Sequence, residues 1–211
     1  VGIFAKHAII DNNGCVVVNF YEQGENEITT ERGKILIKTE TKYPADGKIK
    51  LAIDSECDFC LKLRIPEWSQ NGANKEKDGY ATHHIRRGDT VIELDLDMSI
   101  RTTLPEKWDL DVLYIDTCGT RKPPVPVRHY PEDDNYISLS RGPITLAADS
   151  SLGKDAKSTF SFKNLDYKVC EDENYTVKLE FTAENGEKFY LIDYQSAGKD
   201  WQSDIAAWLP I

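Results

Sequence analysis

The sequence predicts an all-β chain of two tandem antiparallel β-sandwich modules with little helix. Three observations lead to this prediction. Apolar and polar residues alternate along short segments, as they do in strands with one face in a core and one face in water. Pairs such as Asn-Gly and Asp-Gly, which favour tight turns, fall between those segments. No stretch has the 3.6-residue apolar period of an amphipathic helix.

The alternation is clearest in the first half of the chain, where Phe59, Leu61 and Leu63 would share one face of a strand. The predicted strands cover residues 34–41, 48–53, 58–65 and 91–98 in the first half, and 112–116, 136–140, 144–148, 175–182 and 188–194 in the second. We expect positive φ at the glycine of each turn pair, which are Asn13-Gly14, Asp46-Gly47, Asn71-Gly72, Asp78-Gly79, Gly88-Asp89 and Asn185-Gly186.

A module boundary is predicted within residues 102–108, which divides the chain into a first module over residues 1–104 and a second over residues 105–211. The second module contains a Pro-rich stretch at residues 121–131. Because proline has no amide hydrogen to donate to a sheet, this stretch is predicted to be an ordered loop rather than a central strand.

Composition and charge narrow the classes of function. The chain has 211 residues, of which 40% are hydrophobic, so it can bury a core. The net charge of −10 would repel a phosphate backbone, which argues against a nucleic-acid partner. The longest apolar run is far too short to span a bilayer, so no membrane partner is expected. Because the chain begins at Val1 and contains a single methionine, we expect a piece of a larger protein.

Five cysteines stand at positions 15, 57, 60, 118 and 170. An odd number at irregular spacing does not indicate a disulfide framework, so most are predicted to be free thiols used as small apolar residues. Cys57 and Cys60 have the spacing of a metal knuckle, but no second pair follows and a strand would point them to opposite faces. No metal site is therefore predicted, and the compartment stays open between bacterial periplasm and cytoplasm.

No catalytic residue stands out. His83 and His84 are adjacent, so in a strand one would face inward and the other outward. Carboxylates are abundant, and sequence alone does not show the fixed pair in a cleft that a glycosidase needs. Arg87-Gly88-Asp89 spells an adhesion tripeptide, but its Gly-Asp pair is explained more simply as the turn before a strand.

Four aromatic residues are candidates for contact with carbohydrate: Trp68, Tyr43, Trp201 and Trp208. Aromatic rings stack on the faces of sugars, and they also fill cores. The core interpretation is favoured for Trp68, which stands beside Pro66 at the end of a predicted strand. The pattern thus leaves two readings open for this group.

Six motifs occur in one order along nearly the whole chain. They are VVVNFY at residues 16–21, ETKYPADG at 40–47, LRIPEW at 63–68, Gly79-Tyr80 followed by RRGD at 86–89, SRGP at 140–143, and the close from Asp193-Tyr194 to Trp208-Leu209-Pro210. In this order they resemble the C-terminal β-sandwich region of the β-L-arabinofuranosidase-like glycoside hydrolases, glycoside hydrolase family 127 and relatives. Ala45 and Arg87 stand where that family usually has tryptophan, which indicates a divergent member.

The resemblance implies that catalysis belongs to an upstream (α/α)6 barrel, absent here, whose Cys nucleophile and zinc act on glycans of plant type. This chain lacks the adjacent cysteine pair that precedes the sandwich in the family. We therefore expect a non-catalytic accessory region with no cofactor of its own, whose partner is that barrel. A homodimer, a bound glycan, a carbohydrate-binding module and an assembly module are alternatives that the sequence leaves open.

The matched motifs also have structural roles. Tyr43-Pro44 would fix an extended residue before a turn, Pro66 would end a strand, and Gly142-Pro143 would bend the chain between two strands. The residues predicted to determine the fold are Tyr43, Pro44, Asp46, Gly47, Arg64, Pro66, Gly88, Asp89, Gly142 and Pro143.

Overall fold

The computed structural model describes residues 7–12, 14–69, 76–106, 109–112, 125–128, 130–199 and 201–211. Within them the chain is all-β, with eighteen strands and three short 3-10 helices, which confirms the predicted fold class. The chain divides into two compact units, a first unit at Val1–Ser99 and a second unit at Ile100–Ile211. Among the described residues, no helix has the length and apolar character needed to cross a bilayer.

The first unit contains two four-stranded sheets that share one core. Its strands are β1 (Ile9–Asn12), β2 (Cys15–Val18), β3 (Gly24–Thr30), β4 (Gly33–Thr41), β5 (Lys48–Ser55), β6 (Phe59–Arg64), β7 (Tyr80–Ile85) and β8 (Gly88–Asp95). One sheet has the order β1-β2-β6-β7 and the other β3-β4-β5-β8. Alternate residues of both sheets, such as Ile37 and Leu61, are fully buried between them.

One strand pair of the first unit departs from the antiparallel pattern. Strands β2 and β6 run parallel, with Cys15 level with Cys60 and Val18 level with Leu63. The three valines of β2 are all buried, so this strand has apolar neighbours on both faces. A continuous apolar run is typical of strands covered on both sides, which is where parallel pairing occurs.

Cys15 and Cys60 form a disulfide across this parallel pair, and their Cα atoms are 4.4 Å apart. The prediction of mostly free thiols is therefore wrong for these two residues. The pairing of β2 with β6 joins positions 45 residues apart, and nothing in the cysteine spacing reveals it. Cys57 and Cys170 are free thiols, while Cys118 lies outside the described residues.

The second unit contains β9 (Ile100–Thr103), β10 (Asp109–Val112), β11 (Val125–Arg128), β12 (Tyr136–Arg141), β13 (Ile144–Asp149), β14 (Tyr167–Val169), β15 (Lys178–Thr182), β16 (Lys188–Asp193), β17 (Ile205–Ala206) and β18 (Leu209–Pro210). Its 3-10 helices are Pro131–Asn135, Ser150–Leu152 and Tyr194–Ser196. Eight strands form one sheet in the order β14-β15-β16-β13-β12-β18, with β9 also paired to β12 and β17 to β13. Strands β10 and β11 form a separate two-stranded sheet.

A cluster of phenylalanine rings lies in the core of the second unit, beside fully buried leucine and isoleucine residues. Phe181 and Phe189 stack with centroids 5.8 Å apart, and Phe162 meets both edge-on at 5.6 and 5.3 Å. Phe160 contacts Phe189 edge-on at 5.4 Å. Such pairs add specific geometry to the burial of a large apolar area, so ring packing contributes to the order of this core.

The stretch predicted as a Pro-rich loop differs in part. Val125–Arg128 is strand β11, with Pro126 level with Asp111 of β10. In a two-stranded sheet both strands are edges, so a residue without an amide hydrogen can face away from the pairing. Residues 121–124 and 129 lie outside the described part, and Pro131 begins a 3-10 helix. The division of the chain falls between residues 99 and 100, and the boundary at residue 104 stays a prediction.

Gly47 corrects the expectation of positive φ at every turn glycine. Its φ is not in the left-handed region, whereas Gly14, Gly79, Gly88 and Gly186 do have positive φ. A Cβ at Gly47 would instead overlap the backbone carbonyl of Leu96, whose N–H donates to the Gly47 carbonyl at 2.9 Å. Glycine is needed there because two backbones approach closely.

The other residues predicted to determine the fold have local contacts. The Asp46 carboxylate accepts the Lys48 N–H at 3.0 Å, and the Pro66 carbonyl accepts the Ser69 N–H at 3.1 Å. Gly142 has φ 55° before Pro143 and its carbonyl accepts from Arg101 Nη2 at 2.6 Å. Asp89 pairs with Asp54 across β5 and β8.

Candidate functional site

The aromatic residues predicted to contact carbohydrate separate into two kinds. Tyr43 and Trp68 pack partly buried against the core of the first unit. The ring of Tyr43 meets Tyr21 edge-on at 6.3 Å, and burial raises the pKa of its hydroxyl. These two side chains have the environment of core residues.

Trp201 and Trp208 are exposed instead, with 95% and 44% of their surface accessible to solvent. Trp208 lines a shallow hollow of about 320 Å³ with Pro105, Asp133 and Tyr136. Trp201 lines a different hollow of about 530 Å³, termed the Trp201 groove, whose other walls include Gln195, Lys199, Ser203 and Ile205. Two of the four predicted residues thus belong to the core of the first unit, and the other two line separate hollows of the second.

The backbone of Trp201 is unusual. Its φ is 58°, and it is the one non-glycine residue with positive φ among the described residues. Its N–H donates to the Gly198 carbonyl at 3.0 Å, which closes a tight turn. A left-handed conformation costs an L-residue about 1–2 kcal/mol, so the surrounding structure must hold the turn in place.

Asp149, at the end of β13, provides much of that hold. Its buried carboxylate accepts the Gly198 N–H at 2.8 Å and the Ser151 N–H at 2.9 Å. Burial by itself would raise the pKa of Asp149, but the hydrogen bonds from Gly198 and Ser151 outweigh it, and the pKa lies below its usual value. The charged carboxylate therefore ties the Trp201 turn to the central sheet.

Asp193, at the end of β16, anchors the other side of the turn. Its buried carboxylate accepts the Ser196 N–H at 3.1 Å and the Val177 N–H at 3.0 Å. Lys199 adds a third tie, because its Nζ donates to the Asn174 carbonyl at 2.7 Å. The turn that presents Trp201 is thus fixed from three directions.

A second pair of hollows lies in the first unit on either side of Arg32. Their volumes are about 410 and 400 Å³, and both are lined by Gly14, Arg32 and Phe59. The Arg32 guanidinium lies over Gly14, where an added Cβ would be 2.8 Å from Nη2. The second hollow is also lined by Cys60 of the disulfide and by Arg86, so it has two guanidinium groups where the Trp201 groove has one ammonium group.

His83 and His84 face opposite sides of β7, as predicted. His84 is exposed, whereas Nε2 of His83 is buried and has no hydrogen-bond partner within the described part of the chain. Burial lowers the pKa of His83, which favours the neutral imidazole. No group of three or more His, Cys, Asp or Glu in the described ranges is placed to hold a metal ion.

Sequence reasoning named Trp201 but missed the residues that position it. Asp149 and Asp193 each precede a 3-10 helix and accept a backbone N–H of that helix, which is the role of an N-cap. An Asp followed by Ser at the end of an apolar strand, as at Asp149-Ser150-Ser151, is the signal that could have found the first of them. The meeting of Asp149 with Gly198 is non-local and has no such signal.

Comparison with known proteins gives one family. Residues 15–98 match the model of the family described as Beta-L-arabinofuranosidase, GH127 middle domain. No curated protein matches the chain. The sequence match covers most of the first unit.

Solved structures match the chain over both units. A GH127 β-L-arabinofuranosidase from Geobacillus stearothermophilus T6 has a TM-score of 0.68 and 18% identity, over 98% of this chain and 35% of that one. A GH127 β-arabinofuranosidase has a TM-score of 0.68 and 21% identity, over 97% of this chain and 36% of that one. A third structure, described as a glycoside hydrolase, has a TM-score of 0.63 and 18% identity, over 92% and 35%. The chain thus shares their fold and spans about a third of the length of each.

Proposed function

We infer that this chain, a GH127-related β-sandwich region, is the non-catalytic accessory part of a glycoside hydrolase that acts on arabinofuranosides of plant glycans. One observation carries the proposal: the chain aligns over almost its whole length with GH127 enzymes, yet it accounts for only 35–36% of theirs. The chemistry would then belong to the remaining two thirds, where the resemblance implies an upstream (α/α)6 barrel.

The roles of the acidic and sulfur-containing side chains support an accessory part. Asp149 and Asp193 accept backbone N–H groups inside the second unit. Cys15 and Cys60 are joined to each other, so neither offers a thiolate as nucleophile or zinc ligand. Because the described residues include no group of three or more His, Cys, Asp or Glu placed to hold a metal ion, the proposal assigns zinc to the upstream barrel.

The accessory part would act as a scaffold. Each unit has its own core, and sheets of this kind present broad faces on which another domain can pack. In the proposal the sandwiches bury one face of the barrel and hold the rim of its substrate cleft in place. Substrate turnover would then depend on the barrel, while its stability would depend on both parts.

Two assays test the proposal. The isolated 211-residue chain, with added zinc, should not hydrolyse p-nitrophenyl β-L-arabinofuranoside, whereas the parent protein should. Deleting this region from the parent should lower the midpoint of thermal unfolding of what remains. Hydrolysis by the isolated chain, or a truncated parent as stable and active as the whole, would contradict the accessory role.

Carbohydrate binding is a second candidate function. It is favoured by one specific observation, the nearly complete exposure of Trp201 beside a groove that polar side chains line in part. A binding function of this kind would deliver the enzyme to its polymer, and it requires no catalytic group in the chain.

A further inference from the structure

Trp201 and the groove beside it form a site that the accessory role does not use. We propose that the Trp201 groove binds a neutral oligosaccharide, with one sugar ring stacked on the indole of Trp201. This inference rests on the proposed function only for the class of polymer that the groove would bind. Its failure would therefore leave the accessory role untouched.

The exposure of Trp201 is the first argument. A tryptophan that is 95% exposed leaves almost its whole apolar surface in water, which is unfavourable unless a partner covers it. The residue also has φ 58°, a conformation that a bulky side chain rarely adopts. Strain held at an exposed aromatic residue is typical of binding sites.

The chemistry of the groove is the second argument. An indole offers a flat apolar face to the C–H groups of a sugar ring, and the hydroxyls at the ring edge then need polar partners. The side chains of Gln195, Lys199 and Ser203 line the same groove. Gln195 is exposed, and its amide has no hydrogen-bond partner in the part of the chain that the structure describes, so it can both donate to and accept from a hydroxyl.

The volume of the groove and the net charge of the chain limit the class of ligand. A volume of about 530 Å³ lies within the range of small-molecule sites. The chain has a net charge of −10, which disfavours glycans rich in carboxylate or sulfate. A short stretch of neutral oligosaccharide fits both constraints.

The fixed backbone is the third argument. Asp149 holds Gly198, Asp193 holds Ser196, and Lys199 is tied to the Asn174 carbonyl. A turn that is already ordered loses little conformational entropy when it binds. The ring of Trp201 is therefore presented in one place before a ligand arrives.

Titration followed by NMR tests the proposal on the whole 211-residue chain. The indole N–H signals are assigned by substitution, and arabinotriose, xylotriose and cellotriose are each added up to tens of millimolar. We expect the Trp201 signal to shift and saturate with at least one of them, while the Trp208 signal stays in place. Trp201→Ala should weaken that affinity at least tenfold, and Trp208→Ala should leave it within twofold.

Trp201→Gly separates binding from folding. Glycine adopts positive φ without strain, so this variant should unfold at the same temperature as the original chain or higher. Its affinity for the oligosaccharide should nevertheless be lost. The proposal is overturned if none of the three sugars moves the Trp201 signal, or if Trp201→Gly binds as well as the original. It is also overturned if the Trp201 signal responds to none of the sugars but differs between the isolated chain and the sugar-free parent protein. Trp201 would then be a contact between domains.

Discussion

The two units reach the same all-β class by different means. The first unit has an aliphatic core, with residues such as Ile37 and Leu61 fully buried, and it is crosslinked by the Cys15–Cys60 disulfide. The second adds a cluster of phenylalanine rings to its buried aliphatic residues, and it buries the carboxylates of Asp149 and Asp193. The comparison shows that regular alternation of aliphatic residues accounts for the paired strands, whereas buried carboxylates hold the connections that follow β13 and β16.

The largest loss of stability should come from a change in the phenylalanine cluster of the second unit. Phe181→Ala removes a fully buried ring that contacts three others, and it should lower the free energy of unfolding of that unit by about 3–5 kcal/mol. Denaturant titration measures this loss. Val91→Ala, at an exposed position, is the control and should change little. A loss below 1 kcal/mol would mean that the rings do not set this core.

The disulfide should matter to one unit only. Replacing both Cys15 and Cys60 by Ala should lower the free energy of unfolding of the first unit by about 2–4 kcal/mol, because the unfolded chain gains freedom. Thermal unfolding with and without reductant measures the effect. The free thiol of Cys170 gives the matched control, since Cys170→Ala should not alter the response to reductant. Equal shifts in both units would remove this difference between them.

The anchoring carboxylate should make the second unit sensitive to acid. The pKa of Asp149 is lowered in the folded chain, so its stabilisation is complete above the unfolded pKa of about 3.9 and is lost as the pH falls through the folded value. Asp149→Asn should lower the free energy of unfolding near neutral pH by about 1–3 kcal/mol, because an amide accepts more weakly than a carboxylate.

Unfolding curves at pH 7 and between pH 2 and 4 check this prediction. The difference in the free energy of unfolding between Asp149→Asn and the original chain should become smaller as the pH falls. A constant difference across that range would show that the charge of Asp149 contributes nothing. Asp204→Asn serves as the control, since its exposed carboxylate forms a surface ion pair with Lys157.

Turn glycines should be the feature in which the two units agree. Gly88 has φ 107° and Gly186 has φ 85°, and an added Cβ would meet no atom within 4 Å at either position. Each change to Ala should lower the free energy of unfolding by about 1 kcal/mol, since only the backbone conformation opposes it. Denaturant titration of the two variants compares them. Unequal losses would show that the connections differ as well as the cores.

The sequence predicted the strands whose own residues alternate. Ile35 and Ile37 of β4 are examples, because a period of two directly encodes a buried face and a wet one. Strand β3 was not predicted, since it is an edge strand with mostly exposed polar residues and is defined by its pairing with β4. Residue types therefore suffice for core strands, and partners decide the edges.

The candidate site was less predictable than the fold. The tryptophans could be named from the sequence, but their burial depends on packing that brings distant segments together. Trp68 is covered by the core of the first unit, while Trp201 is exposed by a turn that Asp149 holds. Non-local contacts of this kind also explain why the disulfide between Cys15 and Cys60 was missed.

The same disulfide closes a covalent loop in the first unit. Strands β2 to β5 and the first two residues of β6 lie on the segment from Cys15 to Cys60, so they belong to one ring of backbone joined through sulfur. A protease that cuts once anywhere inside this ring leaves both fragments joined. A nicked chain would therefore keep its mass on a non-reducing gel and separate into two pieces only after reduction.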